Sequence, residues 1–550
     1  MTWFSFGKNT KVEITYHGWL WENLTGSSKL LSITIWTKIY NILIDAGSRQ
    51  WWLDQDKFND HMPIDPKSIY AIVLTHAHMD HIGKVPLYVR NWFTWPIYTT
   101  PITKPLIFEA LKDEQKIFQR ILEERKEILT KLKKAFNIVK RHQDSNYEWW
   151  AKIKKHGEQK SAEIKKRHTS STNMLQRNNI SSITDIRKYE NAIQTMEEQK
   201  ERSEQDLFKV MWLIKTAPYN KVMHIVPRVA SATFYNAWHI EWSAQVDIEV
   251  AQKNFLFSGD LWRIHDNFIV WKPVIPKKNK YSFISLESTY AGKVHPNRKD
   301  AEDHFYNEIA NTHWPVIAPT FALQRILEWA GTALKWGNRL NETQESIYSD
   351  RASKKDIEWN NKKIRIIDTI YIDAPLGKKY KEIFLKELWS KYSFINTSKV
   401  KFVTVTERQE LLLRIKKWHR LLIFSSSWML QWGTVMHYLP EILKQKKWKI
   451  IFTWFPWQNT LASQIVSGNK KVVVNWLLQD VTCESIYIEG FSSHADHDEL
   501  VEYFQWIKKA KWAKVALEHW WINRNILAED IKNWSVKVII PQEWDKFRIL

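Results

Sequence analysis

The chain has 550 residues, enough for two or three domains with substantial cores. Its formal net charge of +21 and pI near 9.5 favour a polyanionic partner such as nucleic acid, although solvated lysine-rich helices produce the same excess. One cysteine, Cys483, excludes an internal disulfide, no apolar run approaches the roughly 18 residues of a membrane span, and the N-terminus lacks a signal peptide's apolar core, so a cytoplasmic protein without a membrane partner is expected.

In chain order, Lys11 to Tyr16 reads as a first strand, and short strands alternate with turns and helices to about Tyr98, the pattern of a mixed α/β layer fold. Within that stretch Asn41-Ile42-Leu43-Ile44 runs into Asp45, and the strand Ile69 to Leu74 runs into His76. From Leu111 to about Gln205 the chain is rich in Lys, Glu, Gln and Arg, with Ile121, Ile128, Leu132, Phe136 and Val139 at helical intervals. A second such run covers Ile186 to Leu213. The prediction is two long amphipathic helices in an antiparallel hairpin with its tip near Trp149 to Asn179, a solvated insertion or else an arm for nucleic acid or a partner. Asn254 to Phe257 then runs into Asp260, and Lys514 to Leu517 into His519. Between them, from about Pro296 to Glu489, lies a second α/β pattern with strands at Val316 to Pro319, Ile370 to Asp373 and Leu421 to Ser425. Polar, ligand-type residues at successive strand ends can converge on one rim of a sheet, which a purely structural sheet does not need.

One anomaly stands out in the composition. There are 33 Trp and only 14 Gly, whereas roughly 7% of an ordinary protein is glycine. Many tryptophans fall where turns want glycine, as in Asn91-Trp92-Phe93-Thr94-Trp95-Pro96, Asp260-Leu261-Trp262-Arg263 and Phe452-Thr453-Trp454-Phe455-Pro456-Trp457. The expectation is that these positions are glycines encoded by UGA and written as tryptophan.

The chemistry concentrates in Thr75-His76-Ala77-His78-Met79-Asp80-His81-Ile82-Gly83, an H-x-H-x-D-H cluster directly after an apolar strand. Its imidazoles and carboxylate are the nitrogen and oxygen donors that zinc-type ions prefer, and one such cluster can serve two neighbouring ions. With Asp45 in Ile44-Asp45-Ala46-Gly47, His239 in Trp238-His239-Ile240-Glu241-Trp242-Ser243 and Asp260 in Ser258-Gly259-Asp260, the chain resembles the metallo-β-lactamase superfamily. Three further motifs are similar to those of the β-CASP nucleases: Glu287-Ser288-Thr289-Tyr290, Ser492-Ser493-His494-Ala495-Asp496 and Leu517-Glu518-His519. Pro319-Thr320-Phe321-Ala322-Leu323-Gln324-Arg325 and Ser427 to Gly433 agree with this. Histidine at the last motif resembles the RNA-processing branch, that of the cleavage and polyadenylation specificity factor endonuclease subunit and its prokaryotic homologues.

The resemblance implies an αββα metallo-β-lactamase sandwich over residues 1–291, with the helical insertion at about 111–213. A β-CASP cap would follow at 292–489, and the sandwich would resume over 490–550. It implies two Zn2+ ions, one held by His76, His78 and His239 and the other by Asp80, His81 and His519, with Asp260 bridging both. Asp45 would orient a ligand or the water. His494 would be the general acid that protonates the leaving oxygen, with Glu287 raising its pKa. Phosphodiester hydrolysis at neutral pH needs a hydroxide, charge neutralisation and that proton, and two ions roughly 3.5–4 Å apart supply the first two. Arg325 and Lys378 on the cap would grip backbone phosphates, and the substrate implied is single-stranded RNA, because a duplex is too wide to reach buried metals. The expected activity is a ribonuclease, an endonuclease with 5′-exonuclease action left open. The alternatives are a DNA nuclease, a small-molecule metallo-hydrolase of the same superfamily, or an inactive RNA-binding partner subunit. Family members often dimerise, so a homodimer is part of the implied picture. His17, His295, His304 and His437 read as surface or loop histidines.

Overall fold

The computed structural model describes residues 10–17, 26–49, 59, 61–144, 158–178, 180–263, 273–276, 280–310, 312, 314–334, 369–417, 421–475, 477–519, 523–532, 534–542 and 544–550. Two seven-stranded sheets carry the first lobe. One is ordered Lys546–Arg548, Thr10–Tyr16, Lys29–Ile35, Lys38–Ile44, Ile69–Val73, Ile97–Thr99 and Ile214–Thr216, antiparallel as far as Lys38–Ile44 and parallel beyond it. The other is ordered Lys537–Ile539, Lys509–Glu518, Tyr281–Glu287, Lys253–Phe257, Ala244–Val250, Ala230–Asn236 and Val222–Val226.

Alternation decides how these sheets meet. In Thr10–Tyr16, Val12, Ile14 and Tyr16 are buried while their neighbours are half-exposed, which puts one face of the strand inward. That face, with Leu31, Ile33, Ile42 and Ile44, packs on Phe234, Val246, Ile248, Phe255 and Phe283 of the second sheet. A fully buried side chain of this size is worth roughly 1.5–3 kcal/mol, so this seam holds the sandwich together. The second sheet's other face is covered by the helices His497–Trp506 and Arg524–Lys532 through Leu500, Tyr503, Phe504, Leu527 and Ile531. The helix Val85–Arg90 and the start of the helix Thr103–Asp144 bury Val85, Tyr88, Val89, Leu106 and Ile107, and the αββα layering is complete.

The cap is a six-stranded, wholly parallel sheet ordered Val400–Phe402, Ile370–Asp373, Leu422–Ser425, Val316–Pro319, Lys449–Phe452 and Glu484–Tyr487. It leaves the sandwich after Tyr281–Glu287, and the chain returns to it at Lys509–Glu518. Those two strands pair in parallel, with Glu287 opposite Glu518. The excursion therefore begins and ends at one point on the rim.

Residues Leu111–Trp212 form a separate compact unit. It contains most of the helix Thr103–Asp144 together with Glu158–Arg177 and Ile183–Leu213. Among the described residues three helices stand where the sequence suggests two, because Glu158–Arg177 occupies what reads as the tip of a hairpin. Leu132, Ala135, Leu175, Ile180 and Ile186 make its small core.

Candidate metal centre

Each polar residue singled out at a strand end lies at the C-terminal end of its strand, and the two sheets bring these ends together. Asp45 follows Lys38–Ile44, His76 follows Ile69–Val73, Asp260 follows Lys253–Phe257, and His519 follows Lys509–Glu518. The loops seat closely against one another. Ser27 donates its amide to the Asp80 carbonyl at 2.7 Å and Ala46 its amide to the His81 carbonyl at 2.8 Å. A Cβ on Gly47 would fall 1.7 Å from the Asp80 carbonyl oxygen, so this approach requires glycine.

Two donor sets result. His76, His78, His239 and Asp260 present one ligand atom each, and Asp80, His81 and His519 do the same, every set lying within 4.8 Å, while Asp260, His494 and His519 form a third cluster that overlaps both. The two oxygens of Asp260 divide between them. Oδ2 lies 3.6 Å from His76 Nε2 and 3.5 Å from His239 Nε2, while Oδ1 lies 3.4 Å from His81 Nε2 and 3.5 Å from His519 Nε2. Donors about 2.0–2.1 Å from a tetrahedral zinc-type ion stand about 3.3 Å apart, so this spacing suits an ion between them. His81 Nε2 is buried with Asp260 Oδ1 at 3.4 Å as its nearest acceptor, so an ion could take the place of its proton. The residues present fit a dinuclear centre, which the fold also implies.

Titration behaviour agrees with that use. Burial holds the imidazoles of His76 and His239 well below the ordinary histidine value and those of His78 and His519 near about 3, so they are neutral and ready to donate. His81 differs. Burial opposes its charge, but the carboxylates of Asp260 and Asp45 carry its pKa above the ordinary value, so ligation there must release a proton. Burial pushes the Asp80 carboxyl up, whereas the Asp260 carboxyl, although buried, is drawn well down by His519, His81 and His239.

The remaining polar groups orient this set. Asp45, fully buried at φ +58°, accepts the Thr75 amide at 2.8 Å and stands 2.8 Å from His81 Nδ1, which leaves Nε2 facing Asp260. His494 Nδ1 lies 3.1 Å from Glu287 Oε2, and the His494 ring lies 4.6 Å from that of His239 and 5.3 Å from that of His519. Burial alone would lower the His494 pKa, but Glu287, with Asp260 and Asp80 beyond it, raises it above the ordinary value. Glu287 is itself held by the Leu261 amide and by the Thr289 hydroxyl at 2.6 Å. Behind His494, Asp496 caps the helix His497–Trp506 and Ala495 donates to the Leu261 carbonyl at 2.9 Å.

Two readings change. Arg325 does not face an open cleft: it is buried, paired with Glu328, 4.2 Å from the Trp262 ring, and donates to the His239 carbonyl at 3.2 Å. Its charge is committed inside the protein, and with Gln324, which accepts the Glu241 amide at 2.6 Å, it holds the His239 loop from the cap side. Lys378 remains exposed on the helix Pro375–Glu387. His17 and His295 do lie in loops but are buried there, unlike the exposed His304 and His437. His295 approaches the His494 carbonyl at 3.2 Å and donates its amide to Asp496 at 3.0 Å, so it braces the His494 loop. No motif in the sequence marks it, and Thr289, although inside the motif Glu287-Ser288-Thr289-Tyr290, carries no assigned role there.

With this geometry in place, the comparisons with known proteins converge. The metallo-β-lactamase superfamily profile matches residues 32–150 and the β-CASP domain profile residues 356–465. The two matched segments identify a metallo-β-lactamase fold that carries a β-CASP domain. Among curated proteins it is 25% identical over 446 residues to a transcription termination factor of Pyrococcus horikoshii, covering 79% of this chain and 54% of that protein. An RNase J-like protein of Methanocaldococcus jannaschii is 23% identical over 468 residues, 82% of each. A ribonuclease of Thermus thermophilus is 22% identical over 473 residues, 84% of this chain and 85% of that one. The chain thus spans about half the length of the termination factor.

Proposed function

We propose that this chain is a zinc-dependent ribonuclease that hydrolyses phosphodiester bonds in single-stranded RNA, an endonuclease of RNA processing or decay with 5′-exonuclease action as a second mode. One observation carries the reading: Asp260 turns one oxygen to each of two donor sets, and the His494–Glu287 pair stands beside both. The names of the relatives, a termination factor, an RNase J-like protein and a ribonuclease, support RNA as the polymer. In this reading His76, His78 and His239 hold one ion, Asp80, His81 and His519 the other, and Asp260 both. When bound, the two ions supply a nucleophile at neutral pH and positive charge for the phosphoryl oxygens. His494, kept protonated by Glu287, delivers a proton to the leaving oxygen. Asp45 and Glu287 fix the orientation of His81 and His494, and Lys378 meets backbone phosphate. The buried rim admits a single strand and excludes a duplex. The single cysteine, and the absence of a membrane-spanning helix among the described residues, support a cytoplasmic site of action.

The test is cleavage of end-labelled single-stranded RNA beside DNA of the same sequence, with and without chelator and with zinc restored. RNA should be cut, chelation should stop it, and zinc should restore it. A protein that binds two zinc ions yet cuts neither polymer would end the nuclease reading, and full activity in His78→Ala would end the ligand assignment.

A further inference from the structure

Thr289 is a residue whose chemistry can be worked out atom by atom. Its hydroxyl oxygen lies 2.6 Å from Glu287 Oε2 and 2.5 Å from His519 Nδ1. A hydroxyl has one proton to give, and an ionised carboxylate can only accept. The Thr289 proton therefore goes to Glu287, and His519 Nδ1 must donate its own N–H to the Thr289 oxygen. That arrangement fixes the tautomer of His519: Nδ1 carries the hydrogen, and Nε2 presents its lone pair 3.5 Å from Asp260 Oδ1. The opposite side of the centre repeats the pattern. The Thr75 hydroxyl lies 3.0 Å from Asp45 Oδ2 and 3.0 Å from His76 Nδ1, which leaves His76 Nε2 toward Asp260 Oδ2.

We propose that Thr289 is a positioning residue whose hydroxyl sets the tautomer of His519 and ties the carboxylate facing His494 to the ligand set of the second ion. The link is short because Glu287 and Glu518 stand opposite one another on paired strands, so Thr289 and His519 leave the sheet side by side. The inference rests on the two-metal reading. The experiment compares Thr289→Val, close in shape but without the hydroxyl, with Thr289→Ser, which keeps it. Zinc per chain is measured after dialysis, and zinc affinity by titration with a competing chelator. Orienting partners of this kind change metal affinity by roughly 10–100-fold when removed. Wild type and Thr289→Ser should hold two ions, and Thr289→Val should hold one tightly and lose affinity for the other by that factor. Rescue by serine separates a hydroxyl effect from a packing effect. If wild type and Thr289→Val both hold two ions with equal affinity, the role of Thr289 is refuted while the two-metal reading stands. If wild type itself does not hold two, both fall.

A separate observation concerns the backbone. Six tryptophans, Trp36, Trp92, Trp238, Trp242, Trp512 and Trp544, have φ between 57° and 75°, among eighteen described non-glycine residues with positive φ. This left-handed region is open to glycine and unusual for a bulky side chain. The glycines Gly26, Gly259, Gly292, Gly433, Gly468 and Gly490 occupy the same region. Trp238 and Trp242 bracket His239, so the question touches the metal centre. We infer that the natural residue at these six positions is glycine, encoded by a UGA codon that the source organism reads as glycine. Peptide mass spectrometry of protein isolated from source cells decides it: glycine masses at these positions are expected, and tryptophan masses would overturn the inference.

Discussion

Replacing Trp36, Trp92 and Trp512 together by glycine should stabilise the protein made with the sequence as written. These three are 74%, 72% and 73% exposed, so removing them sacrifices little buried area. A non-glycine residue in the left-handed region costs roughly 1–2 kcal/mol. Against this, glycine gives the unfolded chain extra freedom worth about 0.4–1 kcal/mol. The balance is about 0.5–1 kcal/mol per site. The three sites lie apart, in the turns after Lys29–Ile35 and after Val85–Arg90 and inside the strand Lys509–Glu518, so their effects should add to about 1.5–3 kcal/mol. Urea unfolding followed by far-ultraviolet circular dichroism reads this as a midpoint at higher urea. The control is Trp448→Gly, which empties a fully buried site in the cap core and should lower the midpoint. A triple variant less stable than the parent would show that these positions accept tryptophan without strain, and the backbone argument would fail.

Asp260→Ala should cost the protein both ions, because each oxygen faces a different donor set, whereas Asp80→Ala should cost one; elemental analysis that finds two ions in Asp260→Ala would remove the bridging role. His494→Ala should slow RNA cleavage by roughly 10²–10⁴-fold. Glu287→Gln removes the nearest charge that raises the His494 pKa, so activity should be lost at lower pH on the alkaline side of the rate profile; a limb shifted upward would contradict His494 as the acid. Lys378→Ala should weaken RNA binding alike for all sequences and reduce the slope of log affinity against log salt by about 1, and an unchanged slope would take Lys378 off the phosphate path. Lys29→Met strands the buried Glu518 carboxylate, 2.9 Å from the Lys29 ammonium, and should cost about 3–5 kcal/mol at pH 7. Burial already holds the Glu518 pKa above its ordinary value, so the folded state takes up the proton first and the deficit should shrink as pH falls toward 5; urea midpoints at the two pH values check the direction.

The sandwich and the donor set were legible because both depend on local spacing. An apolar run that stops at a ligand-type residue marks a strand end, and the side chains of His76, His78, Asp80 and His81 need only one loop to diverge. What stayed hidden depends on which strands become neighbours. Thr289 looks like an ordinary hydroxyl in Glu287-Ser288-Thr289-Tyr290 until the pairing of Glu287 with Glu518 brings it to His519. His295 has no spacing relation to His494, and their contact exists because the chain bridges Tyr290 to Asp496 on its way into the cap. Arg325 misled for the converse reason. A basic residue beside a cleft suggests phosphate, but its guanidinium is already committed to Glu328 one turn on and to the His239 carbonyl, the second a contact formed only once cap and sandwich have folded together.

That wiring explains how a centre assembled from distant segments can stay rigid. Behind His519, Lys29 of the first sheet reaches Glu518 of the second, Glu518 accepts from Ser285 at 2.8 Å, and Tyr16 meets Ser285 at 2.9 Å, all buried. This polar crosslink lies directly beneath the rim, where an apolar seam alone would let the two sheets slide by the few tenths of an ångström that distinguish a ligand from a bystander. From the cap side, Tyr392, Lys391 and Gln324 hold Glu241 and its amide, and Arg325 holds the carbonyl of His239. The donor set nearest the His239 loop is thereby made conditional on the cap. A sandwich without its cap would retain Asp80, His81 and His519 but would lose the groups that aim His239, so in this chain the cap is also part of what holds the donor set.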